Sequence, residues 1–298
     1  MEDVKCDLCG ANKPEFLFKG VDRFSKSSYS LAACSQCGLV YLPSRPTKNE
    51  LEQYYPDDYE AYYILEDDRL GSEQWHLQRA LRIQLDFIEQ HTLDKGDLLD
   101  IGCATGNFLK IAQDNGWQVT GIEPIDKAAV IARTQYHLKV ITGTLDEIQF
   151  DPESFDVITM WDVLEHLPNP KQTLVKCHGL LKPGGIIVFS IPNLRSYDRY
   201  LFGEHWIGWD PPRHFNLFTD STLVELLAVT GFEPVDKHCI IGGKGTFLLS
   251  LDNIISEGRL GTIIRKFYPL LSAILWPYRQ FSYLFDRGPI ITYAVRKS

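Results

Sequence analysis

Between residues 97 and 192 the chain alternates short apolar runs with segments of helical spacing, and this alternation constrains the fold more than any other feature. The runs DLLDI (97–101), QVTGIE (118–123), KVIT (139–142), FDVITM (155–160) and GIIVFSIP (185–192) read as strands. Between them NFLKIAQDNG, KAAVIARTQ and NPKQTLVKCHGLL repeat apolar residues at helical intervals, two of them with glycine near the end. Strands joined by helical crossovers form a parallel sheet covered on both faces, an α/β doubly wound architecture. Ligands of such sheets bind beyond the carboxyl ends of the strands.

The stretch LLDIGCATG (98–106) opens that crevice. Asp100 lies near the end of the first strand, and Gly102 and Gly106 bracket a turn whose amides face the crevice at the next helix N-terminus. Twenty-one residues after Gly102, Glu123 stands at the tip of the second strand, where a carboxylate can accept both hydroxyls of a ribose. A nucleoside ligand follows, but dinucleotide enzymes use the same carboxylate. Three details separate the cases. The turn lacks GxGxxG, because Ala104 stands between the glycines and Asn107 follows Gly106; it also lacks the GK[ST] lysine of a phosphate-binding loop. Asp100, directly before the turn, would repel a pyrophosphate and suits the ammonium of a methionine moiety.

With LLDIGCATGNFL (98–109), VTGIEP (119–124), FDVITMWDVLEHLPNP (155–170) and LKPGGIIVFSIPN (181–193), the chain resembles the class I S-adenosylmethionine-dependent methyltransferases over about residues 75 to 240. WDVLEHLPNP and LKPGG are most similar to the group that holds ubiquinone-biosynthesis and small-molecule or sugar methyltransferases. The resemblance implies a Rossmann-like seven-stranded sheet with S-adenosylmethionine as cofactor. It implies that Asp100, Gly102, Cys103, Ala104, Thr105 and Gly106 surround the methionine and ribose, and that Glu123 holds the ribose. Pro124 or Ile125 would lie beside the adenine, and Thr144 occupies the place of an acidic residue that many members put near the adenine amino group. Ala104 departs from the family's GxGxG turn. Trp161, closing the fourth strand, either presents an aromatic face to the sulfonium cation or packs.

Methyl transfer to a hydroxyl gains from a general base. His166 in DVLEHL and His214 in GWDPPRHFNLFTD are the candidates, with Arg213 available for a substrate carboxylate or phosphate. The loop from about 194 to 218 carries Tyr197, Tyr200, Phe202, His205, Trp206, Trp209, Phe215 and Phe218, and reads as an aromatic lid over the crevice.

Two CxxC pairs, Cys6 with Cys9 and Cys34 with Cys37, are each followed by glycine and separated by 24 residues. This spacing predicts a small zinc-ribbon-like module around a structural, four-thiolate Zn2+. A proline- and tyrosine-containing segment follows (Pro43, Pro46, Pro56, Tyr54, Tyr55, Tyr59, Tyr62, Tyr63), read as a linker or, alternatively, an aromatic flap. Residues 74–91 then place Trp75, Leu77, Leu81, Leu85 and Ile88 on one helical stripe. At the other end, EPVDKHCII and PIITYAVRKS read as sixth and seventh strands with about 45 residues between them. From Gly258 to Phe285 that insertion has no acidic residue but carries Arg259, Arg265, Lys266 and Arg279. Residues 259–285 would either lie on an anionic membrane surface or complete a core or a dimer contact. The division expected is a zinc module at 1–45, linker and docking helix at 46–95, a cofactor-binding core at 96–242 plus 287–298, and a helical insertion at 243–286.

A formal charge of −9 and pI near 5.4 oppose a phosphate backbone as partner, so nucleic acid is not expected. The N-terminus MEDVKCDLCG lacks a signal peptide's basic start and apolar run, and a cytoplasmic location follows, peripheral at the inner membrane face if 259–285 meets lipid. The expected activity is methylation, foremost O-methylation of a small molecule or saccharide, a polysaccharide or lipid-linked glycan included; N- and C-methylation stay open. A ribosomal RNA base methyltransferase is the alternative within the enzyme class, and would need a basic run near the cysteines. A non-catalytic S-adenosylmethionine-fold binding protein is the alternative outside it, and would show binding without turnover.

Overall fold

The computed structural model describes residues 1–47, 50, 52–55, 71–242, 244–255 and 265–298. Tyr59, Tyr62, Tyr63, Pro56 and Arg259 lie outside the described residues. At the N-terminus, β1 (Glu2–Asp3), β2 (Pro14–Val21), β3 (Ser28–Cys34), β4 (Val40–Tyr41) and β5 (Ser44–Arg45) form two small antiparallel sheets, β1 with β5 and β2–β3–β4 in a row. The hairpin expected between the CxxC pairs is β2 and β3, paired from Pro14 with Cys34 to Val21 with Ser28.

Helix α1 (Gly71–Glu89) leads into the main sheet and buries Leu85, Phe87 and Ile88. Trp75, placed on the inner stripe by spacing, is instead half exposed, its ring under the Arg79 guanidinium. The main sheet is built from β6 (Asp97–Ile101), β7 (Gln118–Glu123), β8 (Val140–Thr142), β9 (Phe155–Trp161) and β10 (Leu181–Pro192), with α2 (Asn107–Asp114), α3 (Asp126–Gln135) and α4 (Pro170–Leu180) as crossovers. Pro170 opens α4, where its missing N–H costs nothing. β11 (Asn216–Leu217), α5 (Tyr197–Phe202), α6 (Asp220–Val229), β12 (Phe232–His238), α7 (Lys244–Ile254), α8 (Tyr268–Ile274), α9 (Trp276–Leu284) and β13 (Ile290–Lys297) complete the chain. A reciprocal Thr219–Thr222 box caps α6.

The sheet order is β12-β13-β10-β9-β6-β7-β8, the Rossmann-like seven-stranded sheet of the sequence reading. Six strands run in one direction, whereas β13, inserted between β10 and β12, runs antiparallel to both. Leu98, Leu99, Val157, Ile158, Ile187 and Val188 are wholly buried, as central strands covered on both faces must be. β12 and β13 pair despite the residues between them, so α7–α9 are an insertion into a hairpin. β10 begins at Leu181, four residues earlier than the apolar pattern indicates, because the LKPGG segment joins the ladder through a register shift.

The loop after β10 departs furthest from expectation. Its aromatics are not a free lid: Phe202, Trp206, Trp209 and Phe215 are buried in one core with Leu31, Val40 and Leu42 of the N-terminal sheets. β11 extends those sheets by pairing with β4, Asn216 with Tyr41 and Leu217 with Val40. Tyr200 and His205 stay at the surface.

Candidate functional site

The turn after β6 is held in a shape few sequences accept. Gly102, Ala104 and Gly106 have φ of 74°, 47° and 82°, all left-handed. A Cβ on Gly102 would come within 2.6 Å of Val163 Cγ2, and one on Gly106 within 2.6 Å of Leu138 Cδ1, so these glycines permit close packing as well as the backbone turn. Ala104 carries a side chain in the same region, a local strain of roughly 1–2 kcal/mol. What balances it is Glu123: Oε2 accepts the Ala104 amide at 2.9 Å and Oε1 accepts the Ile125 amide at 2.9 Å. Those bonds leave further lone pairs on the carboxylate for a ribose diol.

Asp100 is buried, and its Oδ1 accepts the Thr159 hydroxyl at 2.7 Å. Burial, with the Glu123 charge adding to it, pushes the Asp100 carboxyl up to about 7, and burial likewise raises Glu123. Two buried carboxylates with raised pKa form a site that gains from a cation, and the ammonium and sulfonium of S-adenosylmethionine supply two positive centres there. The donor set fits that cofactor.

The other expected contacts divide. Thr105 is buried and accepts the Asn107 side-chain amide, and Pro124 is exposed at the rim, beside Ile125 at the start of α3. Cys103 turns its thiol inward against Gly121, leaving only its backbone at the turn. Thr144 commits both its amide and hydroxyl to Glu147 Oε2 at 2.9 Å, closing its own turn. Trp161 sits edge-on to Phe108 at 5.2 Å, with a buried indole N–H that has no protein partner.

Beyond β9 the chain makes a single 3-10 turn, Leu164–His166, next to Gly102 through Val163. That turn brings His166 to His214, ring centroids 4.6 Å apart and nearly perpendicular. His166 Nδ1 lies 3.0 Å from the Arg213 carbonyl and 3.2 Å from the Tyr55 hydroxyl; His214 Nδ1 lies 2.8 Å from the Gly208 carbonyl. A carbonyl only accepts, so Nδ1 of each ring carries the hydrogen and Nε2 is the basic nitrogen. Burial and the neighbouring His214 lower His166 to about 3, and burial lowers His214, so both rings are neutral near pH 7. Glu165 completes the group: its ligand oxygen, and one ring nitrogen of each histidine, lie within 4.8 Å of one another. Both Glu165 oxygens are buried without a protein partner, and burial pushes this carboxyl well above the usual range. Such a trio could share a proton or hold a cation. The sequence reading passed over Glu165; a carboxylate directly before a histidine at a strand's mouth was the available signal.

Arg213 is not free for substrate. Its fully buried guanidinium makes two bonds to Asp210, at 2.7 and 2.5 Å, and one to Asp22 Oδ1 at 2.9 Å. Asp22 directly follows β2, and Tyr54 O also accepts from Arg213, at 3.2 Å. A charge-paired guanidinium thus braces the turn whose carbonyls orient both imidazoles.

The four N-terminal cysteines converge. Cys6 and Cys37 sulfurs are 3.5 Å apart, Cys9 and Cys34 3.6 Å, and all four lie within 4.8 Å of one another. Sulfurs about 2.3 Å from a tetrahedral zinc would be about 3.8 Å apart, so the donor set fits. The two turns repeat one another: Gly10 N donates to Cys6 O and Gly38 N to Cys34 O, each at 2.8 Å, with both glycines left-handed.

Comparison with known proteins agrees with this geometry. The family described as methyltransferase domain matches residues 74–237. The ubiquinone biosynthesis O-methyltransferase of Idiomarina loihiensis is 33% identical over 224 residues, 63% of this chain and 88% of that protein. Its counterpart in Azoarcus sp. is 35% identical over 191 residues, 56% and 82% of the respective chains. Among solved structures, Haemonchus contortus phosphoethanolamine N-methyltransferase 2 in complex with S-adenosyl-L-methionine has a TM-score of 0.54 at 20% identity, covering 87% of this chain and 61% of that one. A SAM-dependent methyltransferase from Archaeoglobus fulgidus has a TM-score of 0.50 at 20% identity, covering 80% and 100%. These two likenesses concern the fold. With a family match across more than half of its length, the chain belongs to the methyltransferase domain family and is an S-adenosylmethionine-dependent methyltransferase.

Proposed function

We propose that the chain methylates a hydroxyl oxygen of a small molecule, with His214 as general base and zinc held by Cys6, Cys9, Cys34 and Cys37 in a structural role. The observation that carries this reading is the pair of neutral imidazoles, each with its Nδ1 hydrogen committed to a backbone carbonyl, beside the glycine turn. S-adenosylmethionine supplies a methyl group already activated on a sulfonium. Asp100 and Glu123 would bind its ammonium and ribose, and Trp161 would lie alongside. His214 Nε2 would take the acceptor's proton as the C–O bond forms and the methyl's bond to sulfur breaks, its electron pair staying on sulfur as a neutral thioether, whereas His166, lowered to about 3, is a poor base. Similarity to ubiquinone biosynthesis O-methyltransferases supports oxygen as the acceptor atom of a small molecule. Small aromatic hydroxyls such as catechols, and saccharides, are the acceptor classes to test.

The test is transfer of labelled methyl to a panel of catechols, saccharides and amines, with product identified by mass spectrometry. An O-methylated catechol or sugar supports the reading; exclusive N-methylation of amines, or turnover undiminished in His214→Ala, would overturn it.

A further inference from the structure

Glu165 takes no part in binding the cofactor or in moving the acceptor's proton, yet it lies in the middle of the site. The residue is 1% exposed, and among the described residues neither of its carboxyl oxygens has a hydrogen-bond partner. A buried carboxyl without donor or cation is costly, and a native fold keeps one where something else completes it. The Arg213 guanidinium does not supply the charge, because it is spent on Asp210 and Asp22.

What faces the carboxyl is a pair of imidazoles. One of its oxygens and one ring nitrogen each of His166 and His214 lie within 4.8 Å of one another. Each ring commits its Nδ1 hydrogen to a backbone carbonyl, His166 to Arg213 O at 3.0 Å and His214 to Gly208 O at 2.8 Å, which leaves the Nε2 lone pair for a ligand. Holding the far nitrogen on a carbonyl is how metal-binding histidines are fixed in tautomer and direction. Three atoms bounded by 4.8 Å have a point about 2.8 Å from all of them, and bonds from imidazole and carboxylate to zinc are about 2.0–2.2 Å. Side-chain movement of under about 1 Å would close the set. The backbone beneath it is fastened: Phe215 N donates to Glu165 O at 2.8 Å and His166 N to Val163 O at 2.9 Å, so the two histidine-bearing segments are tied together. Two imidazoles with one carboxylate suit zinc, cobalt or nickel better than magnesium or calcium, which prefer oxygen ligands alone.

We propose that Glu165, His166 and His214 form a second metal site, which takes a divalent transition ion through a Glu165 oxygen and the two Nε2 nitrogens. Its consequence rests on the reading of His214 as general base. An ion on His214 Nε2 occupies the lone pair that would take the acceptor's proton, so ion and proton compete and the loaded site is switched off for transfer. The experiment is cobalt titration of the full-length protein already loaded with one equivalent of zinc at its cysteines. It is followed by visible absorption, with methyl transfer to the acceptor identified in the panel measured on the same samples. One further equivalent of cobalt is expected, with ligand-field bands and no thiolate-to-metal absorption, and transfer should fall in step with its occupancy. Glu165→Gln and His166→Ala should each weaken that equivalent by about tenfold or more. Retained zinc and retained S-adenosylmethionine affinity check that both variants are folded. No further equivalent, cobalt found at the cysteines instead, or binding unchanged in both variants would overturn the site. Cobalt bound at the site with transfer undiminished would overturn the competition, and with it His214 as the base, and leave the metal site standing.

Discussion

Asp100 and His214 show how burial prepares single residues for opposite tasks. With its carboxyl raised to about 7, Asp100 is about half protonated at neutral pH. A cation beside it favours the charged form and lowers that pKa, so cofactor binding should release protons. Calorimetry in buffers of different ionisation enthalpy is expected to find up to about half a proton released per S-adenosylmethionine at pH 7, and less at pH 9, where Asp100 is already ionised. His214 is shifted the other way: burial, reinforced by the Arg213 and Arg23 charges and opposed by Asp210, lowers its pKa. Its basic form therefore persists below pH 6.5, and the acid limb of kcat/KM should lie below the ordinary histidine value of about 6.5. His214→Ala should remove that limb and lower kcat by about 10²–10⁴-fold while leaving cofactor affinity within about twofold.

At the scale of elements, the bridge between the N-terminal sheets and the loop after β10 is the Asp22–Arg213–Asp210 cluster together with the β4–β11 pairing. Burial works against the charge on Asp22, but the Ser25 hydroxyl and amide and the Arg213 guanidinium hold its carboxyl below the usual range. Arg213→Met would leave the buried Asp22 without its cation and Asp210 with only Arg23, at 3.8 Å, and should cost about 3–5 kcal/mol in urea unfolding. Asp22→Asn should cost less, because Asp210 still grips the guanidinium with both oxygens. If both variants cost the same small amount, the cluster is not what braces the loop.

For the molecule as a whole, the N-terminal module and the methyltransferase sheet share their packing. Cys6, Leu8, Cys34 and Leu39 lie in one core with Ile158, Leu174 and Phe189 of the main sheet and its helices. Asp7 accepts the Lys171 amide at 3.0 Å in the first turn of α4, and Arg45 donates to the Pro168 carbonyl at 2.9 Å. Loss of metal should therefore be felt beyond the module. Cobalt substitution is expected to give one equivalent per chain with thiolate-to-metal absorption, and chelation to lower Tm by more than about 5 °C. Methyl transfer should fall with it, since β11 would lose its partner strand. Unchanged Tm after complete metal removal would assign the cysteines another role.

The strands from β6 to β9 were legible in the chain because each is buried on both faces, and burial of that kind writes itself as short apolar runs. Glycine turns and paired cysteines were legible for a similar reason: a left-handed φ or a thiolate cluster admits few residues. The aromatic loop misled because core packing and ligand lining draw on the same residues, and only tertiary contact with Leu31 and Leu42 decides between them. Arg213 was equally ambiguous until Asp22, 191 positions away, appeared beside it. Local sequence determined the sheet, its cofactor turn and the cysteine knuckles, since their causes act over a few residues. Long-range packing decided which polar groups are paired and buried, and so left His166, His214 and Glu165 facing one another as the groups available for chemistry.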